Sequence, residues 1–158
     1  MYIDFIREYQ LTQRLIHMFP KVEPITTAVF CVSPDYSSGV AMQVAHHLSD
    51  RGNMPDLHMV EVPYPKESID QYIEELDILL DSIVGRYDKI VLVEAAVLSG
   101  NNYTWIVDMI CSRGFEREDI IATALIQKAD SIFECDLVGD YVTDMPEFYW
   151  ERYNKHWD

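Results

Sequence analysis

The segment with the types and spacing to do chemistry lies mid-chain. An apolar run, Ile90-Val91-Leu92-Val93, ends at Glu94, passes a few small or apolar residues and reaches Ser99-Gly100-Asn101-Asn102, after which a helical pattern resumes at Tyr103. An uninterrupted run of strand-forming residues is how a strand covered on both faces reads. A strand leading through a Ser-Gly-Asn turn into a helix start aims several backbone N–H groups, and the positive end of the helix dipole, at one spot. Such a spot suits a phosphate, although small polar residues also make ordinary turns and helix caps.

Other reactive residue types form no pattern of this kind. His46 and His47 are neighbours on a predicted helix; adjacent positions point about 100° apart and do not chelate one metal. Ser33, Ser37 and Ser38 lack the Gly-x-Ser-x-Gly elbow. Cys31, Cys111 and Cys135 are odd in number, with no C-x-x-C pair. They read as reduced thiols rather than a disulfide framework or zinc site.

The elements that must position the central turn can be read in order. Apolar positions from Phe5, Ile6 and Tyr9 to Leu11, Leu15, Ile16 and Phe19 predict a helix over 4–18, stopped by Pro20. Ile25–Val32 predicts a buried strand. Ser33–Gly39 follows as a loop rich in turn residues, then a helix to about Asp50 with Gly52 as its left-handed cap. Asp56–Val62 predicts a second strand. Beyond Pro63 and Pro65, Ile69, Tyr72, Ile73, Leu76, Leu79, Leu80 and Ile83 recur at helical spacing. Ser68 and Gln71 are placed for a capping box there. That apolar stripe buries against the domain or forms a dimer contact; its other face, with Asp70, Glu74, Glu75, Asp77 and Asp81, reads as a solvated surface. A helix over 103–113, a strand over Asp119–Gln127 and a last strand over Asp136–Val142 complete the pattern, and Phe148 to Trp157 load the end with aromatics. Strands alternating with helices predict an α/β fold with a largely parallel sheet, whose ligands sit beyond the carboxyl ends of the strands. The loops at 33–39, 94–102 and 128–135 fall there.

Length and charge bound the function. At 158 residues the chain is expected to form one domain. It carries 27 acidic and 12 basic residues, a formal charge of −15. A nucleic-acid binder needs a basic footprint, and an anionic membrane attracts basic segments, so neither class of partner is expected. With no apolar run of about 18 residues and no basic leader, the chain is expected to be soluble and cytoplasmic.

Four segments together resemble a type I phosphoribosyltransferase, closest to the short xanthine-guanine/hypoxanthine kind. AVFCVSPDYSSGVAMQVA, Ala28–Ala45, is similar to the family's first strand, pyrophosphate loop and helix. VLVEAAVLSGNNYT, Val91–Thr104, is similar to the motif that binds phosphoribosyl pyrophosphate, PRPP. ATALIQKAD, Ala122–Asp130, resembles the strand that ends in a base-contacting lysine, and DYVTDMPEFYW, Asp140–Trp150, resembles the hood segment. The resemblance implies a parallel-sheet fold with helices on both faces and a small hood formed mainly by 128–158. It implies that Ser99, Gly100, Asn101 and Asn102 hold a 5′-phosphate, that Glu94 accepts from ribose hydroxyls, that Lys128 donates to a base oxygen and that Trp150 stacks on the base. It also implies self-association, and Mg²⁺ only where PRPP is bound.

The departures from the family pattern fall on catalytic elements. Ala95 replaces the second ribose-binding acid, a loss of about 1.5–3 kcal/mol for a charge-assisted hydrogen bond. Leu98 stands where the purine enzymes carry an aspartate proposed as general base, a role typically worth about 10²–10⁴ in rate. Pro34-Asp35-Tyr36 replaces a basic residue and two glycines of the pyrophosphate loop, and 67–84 reads as a firm helix where active enzymes carry a mobile loop. The expected function is therefore binding of a 5′-phosphoribosyl ligand, a nucleoside monophosphate or PRPP, without turnover. The alternative is an active enzyme joining phosphoribose to a 6-oxopurine.

Overall fold

The computed structural model describes residues 1–63 and 68–149, so Trp150, Tyr153 and Trp157 lie outside the described residues. The described chain runs β1 (Tyr2–Ile3), α1 (Phe5–Ile16), β2 (Thr27–Val32), α2 (Pro34–His47), β3 (Asp56–Val60), α3 (Asp70–Ile83), β4 (Lys89–Val97), α4 (Asn101–Ser112), β5 (Ile120–Lys128), β6 (Leu137–Val142) and β7 (Glu147–Phe148). Five strands form one parallel sheet in the order β3-β2-β4-β5-β6, and β1 pairs in parallel with β7 as a two-stranded ribbon.

The apolar runs explain the layers. Side chains alternate across a strand. Phe30 and Leu92 therefore meet Leu80 of α3 and Ile106 of α4 in one core, while Val29, Cys31, Val91 and Val93 meet Leu15 of α1 and Val44 of α2 in the other. A sheet covered by helices on both faces is the expected α/β architecture. Sequence order reverses between β2 and β4, since the chain passes from β2 to β3 on one side and only later to β4 on the other. A crevice opens at such a switch point.

Several boundaries differ from the reading of the sequence. The expected loop at 33–39 is the first turn and a half of α2: Pro34 occupies the first helical position, where its missing N–H and fixed φ are suited. β4 does not stop at Glu94 but continues to Val97, because Ala96 and Val97 still pair with Ile126 and Gln127 of β5. Ser68 accepts from the Asp70 amide, and Gln71 turns to Glu75 instead of closing a capping box. Gly52, at φ +84, lies beyond the end of α2 in a tight turn with Arg51, across which Asp50 pairs with Asn53. In α1 the core face is Leu11, Thr12, Leu15 and Ile16, which reach β5 and β6; Phe5 remains 66% exposed and meets Tyr149 edge-on.

The helix that matters most for the crevice is anchored by Tyr103. Its ring is wholly buried, edge-on to Phe133, and its hydroxyl donates to the Thr123 carbonyl at 2.6 Å. That bond fixes the start of α4 to the middle of β5. Tyr103→Phe keeps the ring and removes only the bond. It is expected to cost about 1 kcal/mol, read as a lower urea midpoint with an unchanged slope.

Candidate functional site

β2 and β4 part company at the crevice. Their pairing ends at Cys31 and Val93, whereas β4 stays paired with β5 as far as Val97. Two serines of the β2–α2 junction fill the gap. Ser33 has left-handed backbone (φ 52°, ψ 66°) and its amide donates to the Val60 carbonyl at 3.1 Å. Its hydroxyl donates to Glu94 Oε1 at 2.9 Å. Ser37 Oγ accepts from the Ala95 amide at 2.9 Å, supplying a partner to a β4 N–H that no longer faces β2. The start of α2 is thus stapled to β4 by side chains 61 and 58 residues apart in sequence.

Glu94 lies within this junction, 8% exposed. Burial pushes its carboxyl up to about 7, against the hydroxyl of Ser33, which draws it down. Near neutral pH the group is therefore shared between a carboxylate and a neutral acid able to donate. It lines a cavity of about 170 Å³ together with Ser33, Tyr36, Ser37, Leu98 and Phe148. Phe148, in the predicted hood segment, is buried and belongs to the β1–β7 ribbon.

The turn into α4 is shaped by Gly100, the residue before the helix, at φ +85°. Any Cβ there would lie 2.6 Å from both the Phe133 amide and Ser131 Oγ, so both the backbone and the space demand glycine. The turn is also tied to that neighbouring loop, where the Ile132 amide donates to the Ser99 carbonyl at 2.9 Å. The loop in turn is pinned by buried Gln127, whose amide donates to the Phe133 carbonyl at 2.8 Å while its oxygen accepts from the Cys135 amide at 3.0 Å. Among the described residues no side chain caps α4 except for a long contact from the Asn101 amide to Ser99 Oγ at 3.3 Å. Gly100 and Tyr103 are buried, so the open part of the turn is Ser99, Asn101 and Asn102. That is a narrower cradle than the sequence suggests.

A second cavity, of about 150 Å³, adjoins the first through Ser33 and Tyr36 and is walled by Asp35, Glu61, Val62, Pro63 and Asn102. Burial raises the Glu61 carboxyl, and Asp35 and Glu75 raise it further. Among the described residues, neither cavity is lined by lysine or arginine.

The structure therefore brings Glu94 and Asn102 to two adjoining cavities, with Ser99, Gly100 and Asn101 in the turn alongside. Lys128 ends β5 and its ammonium meets Asp130 at 2.9 Å, outside both cavities. Trp150 falls outside the described residues. Sequence reasoning missed the parts played by Ser33, Ser37, Gln127 and Phe148. Ser33 carried a signal, standing directly after an apolar strand and before a proline; its pairing with Glu94 is visible only in three dimensions. Cys31, Cys111 and Cys135 are free thiols, and burial pushes Cys31 up to about 12, which leaves it inert as a nucleophile. Among the described residues no three His, Cys, Asp or Glu side chains are placed to hold a metal ion, and no helix is long and apolar enough to cross a membrane.

No protein-family model matches the chain, and no curated protein matches its sequence. Solved structures do match. The xanthine-guanine-hypoxanthine phosphoribosyltransferase of Helicobacter pylori aligns with a TM-score of 0.66 at 14% identity, over 98% of this chain and 94% of that one. A purine phosphoribosyltransferase from Pyrococcus horikoshii gives 0.69 at 13% identity, over 95% and 92%. The Leishmania tarentolae HGPRT-ase, solved in complex with GMP, gives 0.58 at 13% identity, over 85% and 76%. The chain has the type I phosphoribosyltransferase fold, far diverged in sequence from these neighbours.

The buried carboxyl yields a test of the junction. A group whose folded value lies above its unfolded value of about 4.5 stabilises fully below that pH, and the contribution is lost as pH rises toward 7. Glu8 on α1, also pushed up to about 7 by burial, acts in the same direction. Wild-type stability is expected to fall between pH 5 and 8, with Glu94 contributing on the order of 3 kcal/mol. In Glu94→Gln the Glu94 part of the slope disappears while those of Glu8 and Glu61 remain; urea titrations of the two proteins at the two pH values measure the difference.

Proposed function

We propose that this chain binds a single 5′-phosphoribosyl ligand, a nucleoside monophosphate, at the switch-point crevice and does not turn it over. The observation that carries this reading is the start of α4, a glycine turn with no firm side-chain cap, in which half-buried Asn102 lines a cavity and exposed Asn101 stands next to it in sequence. Backbone amides and a helix dipole are sufficient to hold one phosphate. The fold likeness extends to a protein solved with GMP bound, which supports a purine monophosphate as the first ligand to try.

In this reading Ser99, Gly100, Asn101 and Asn102 take the phosphate, and Glu94 meets a ribose hydroxyl from the floor of the adjoining cavity. The base end falls to Lys128, on releasing Asp130, and to Trp150. Two features weigh against catalysis. Leu98 is apolar where a general base would act, and the cavity wall beside Asn102 is acidic rather than basic. In this reading Mg²⁺ enters only as a companion of PRPP. An active purine phosphoribosyltransferase is the alternative.

Calorimetric titration with GMP tests the reading. Binding is expected for the wild type, weakened about tenfold or more in Gly100→Ala, whose methyl group displaces the turn. In parallel, protein mixed with Mg²⁺, PRPP and guanine, hypoxanthine or xanthine is expected to release no pyrophosphate. Steady pyrophosphate release would replace the binder by the enzyme, and heat-silent mixing with GMP would remove both.

A further inference from the structure

We infer that the cavity at Glu94 takes the ligand's sugar by a single hydroxyl and favours a 2′-deoxyribose over a ribose, with Leu98 and Phe148 in the apolar wall that sets the preference. The inference rests on the monophosphate reading above and names the sugar that the same site selects.

The carboxyl is half engaged by its own chain. Ser33 donates to Oε1 at 2.9 Å, and Oε2 takes no hydrogen bond from a described residue. Glu94 is only 8% exposed, and it lines the cavity of about 170 Å³. The contrast with Glu8 on α1 is informative: Glu8 Oε2 also lacks a partner but is sealed from solvent, whereas Glu94 Oε2 is not. A side chain more than nine-tenths buried thus keeps one oxygen open to a cavity. A ligand that covers this oxygen has to pair it, because a buried polar atom left alone is costly. A vicinal diol spans a carboxylate by giving one hydroxyl to each oxygen. With Oε1 held by Ser33, one hydroxyl is met here and the second is not. That holds whether the carboxyl is ionised and accepts or is neutral and donates.

The remaining polar groups of the wall are in use. Ser33 gives its hydrogen to Glu94, the wholly buried Ser37 accepts from the Ala95 amide through Oγ, and Tyr36 is engaged in its turn. The other described residues of the wall are Ala95, Ala96, Leu98 and Phe148, all apolar. A second sugar hydroxyl set against them exchanges water for carbon, and an apolar pocket disfavours an added hydroxyl by up to about 10²-fold. A methylene in the same place is buried favourably. The nucleotide that offers one hydroxyl and one methylene to such a pocket is a 2′-deoxyribonucleoside 5′-monophosphate.

The test is calorimetric titration of the wild type with GMP, 2′-deoxy-GMP and 2′,3′-dideoxy-GMP, repeated on Leu98→Asn, which sets a hydrogen-bonding amide into the apolar wall. Circular dichroism checks that the variant is folded; where it is not, the three wild-type titrations decide. The wild type is expected to bind 2′-deoxy-GMP at least about fivefold more tightly than GMP. It is expected to bind the dideoxy form at least about fivefold more weakly than the 2′-deoxy form, since that ligand covers Glu94 without pairing it. In Leu98→Asn the preference for 2′-deoxy-GMP over GMP is expected to shrink about threefold or more. GMP binding as tightly as its 2′-deoxy form, or more tightly, overturns the inference and leaves the monophosphate reading standing. A folded Leu98→Asn with an unchanged preference overturns it as well, by taking the selection away from the wall. A wild type that ignores all three nucleotides ends both.

Discussion

The separation of β2 from β4 beyond Val93 is the constraint on which the rest of the molecule depends. Two parallel strands that part leave backbone groups without partners and a wedge of space between them, and a buried polar group without a partner is costly. Here the wedge is closed by the start of α2, with Ser37 accepting from the Ala95 amide and Ser33 donating to Glu94. Ser33 makes its bonds to Val60 and Glu94 from a left-handed conformation, a backbone state that non-glycine residues seldom adopt. Strain at one residue and burial of one carboxyl are thus borne together at the switch point, which is where folds tend to carry such departures.

The same junction marks the limit of what the sequence makes legible. Apolar runs such as Ile90–Val93 and the helical spacing from Ile69 to Ile83 specify layers and periods, because burial on both faces or one face leaves a pattern in residue type alone. The end of β4 leaves no such pattern. A charged residue after an apolar run reads as the edge of a strand, and Glu94 is tolerated inside one only because Ser33 answers it from 61 positions away. The start of α2 misleads for a related reason: proline, aspartate, serine and glycine are turn formers locally. Val40, Ala41, Val44 and Ala45 gain by burial against the sheet as a helix, and that tertiary gain overrides the local preference. The phosphate-type turn at Ser99–Asn102 was legible as a helix start. Its covering by the Ser131–Phe133 loop was not, since that loop is held by Gln127, a polar residue in a strand that reads as ordinary.

The large negative charge is distributed with some order. Arg7, Lys89, Arg113, Arg117 and Lys128 each rest on an aspartate, in partly exposed pairs that individually add little stability. These cations are committed away from the two cavities, whose walls carry Asp35, Glu61 and Glu94 instead. Among the described residues, positive potential at the crevice comes from backbone dipoles, which are local and fall off within a turn of the helix end.

Backbone and side-chain contributions to such a site also differ in how readily a diverging sequence keeps them. The strand–turn–helix that bunches amides at Asn101 and Asn102 follows from the fold itself. It persists through any exchange among apolar residues that preserves the two cores, provided that position 100 remains glycine. A general base, a second ribose acid or a basic pyrophosphate loop must each be specified by a single residue, and each is lost by a single substitution. Identities of 13–14% alongside TM-scores of 0.66 and 0.69 show how far packing tolerates replacement while the fold is kept. A chain on this fold with Ala95, Leu98 and Pro34-Asp35 keeps the part of this junction that the backbone supplies, the glycine turn into α4.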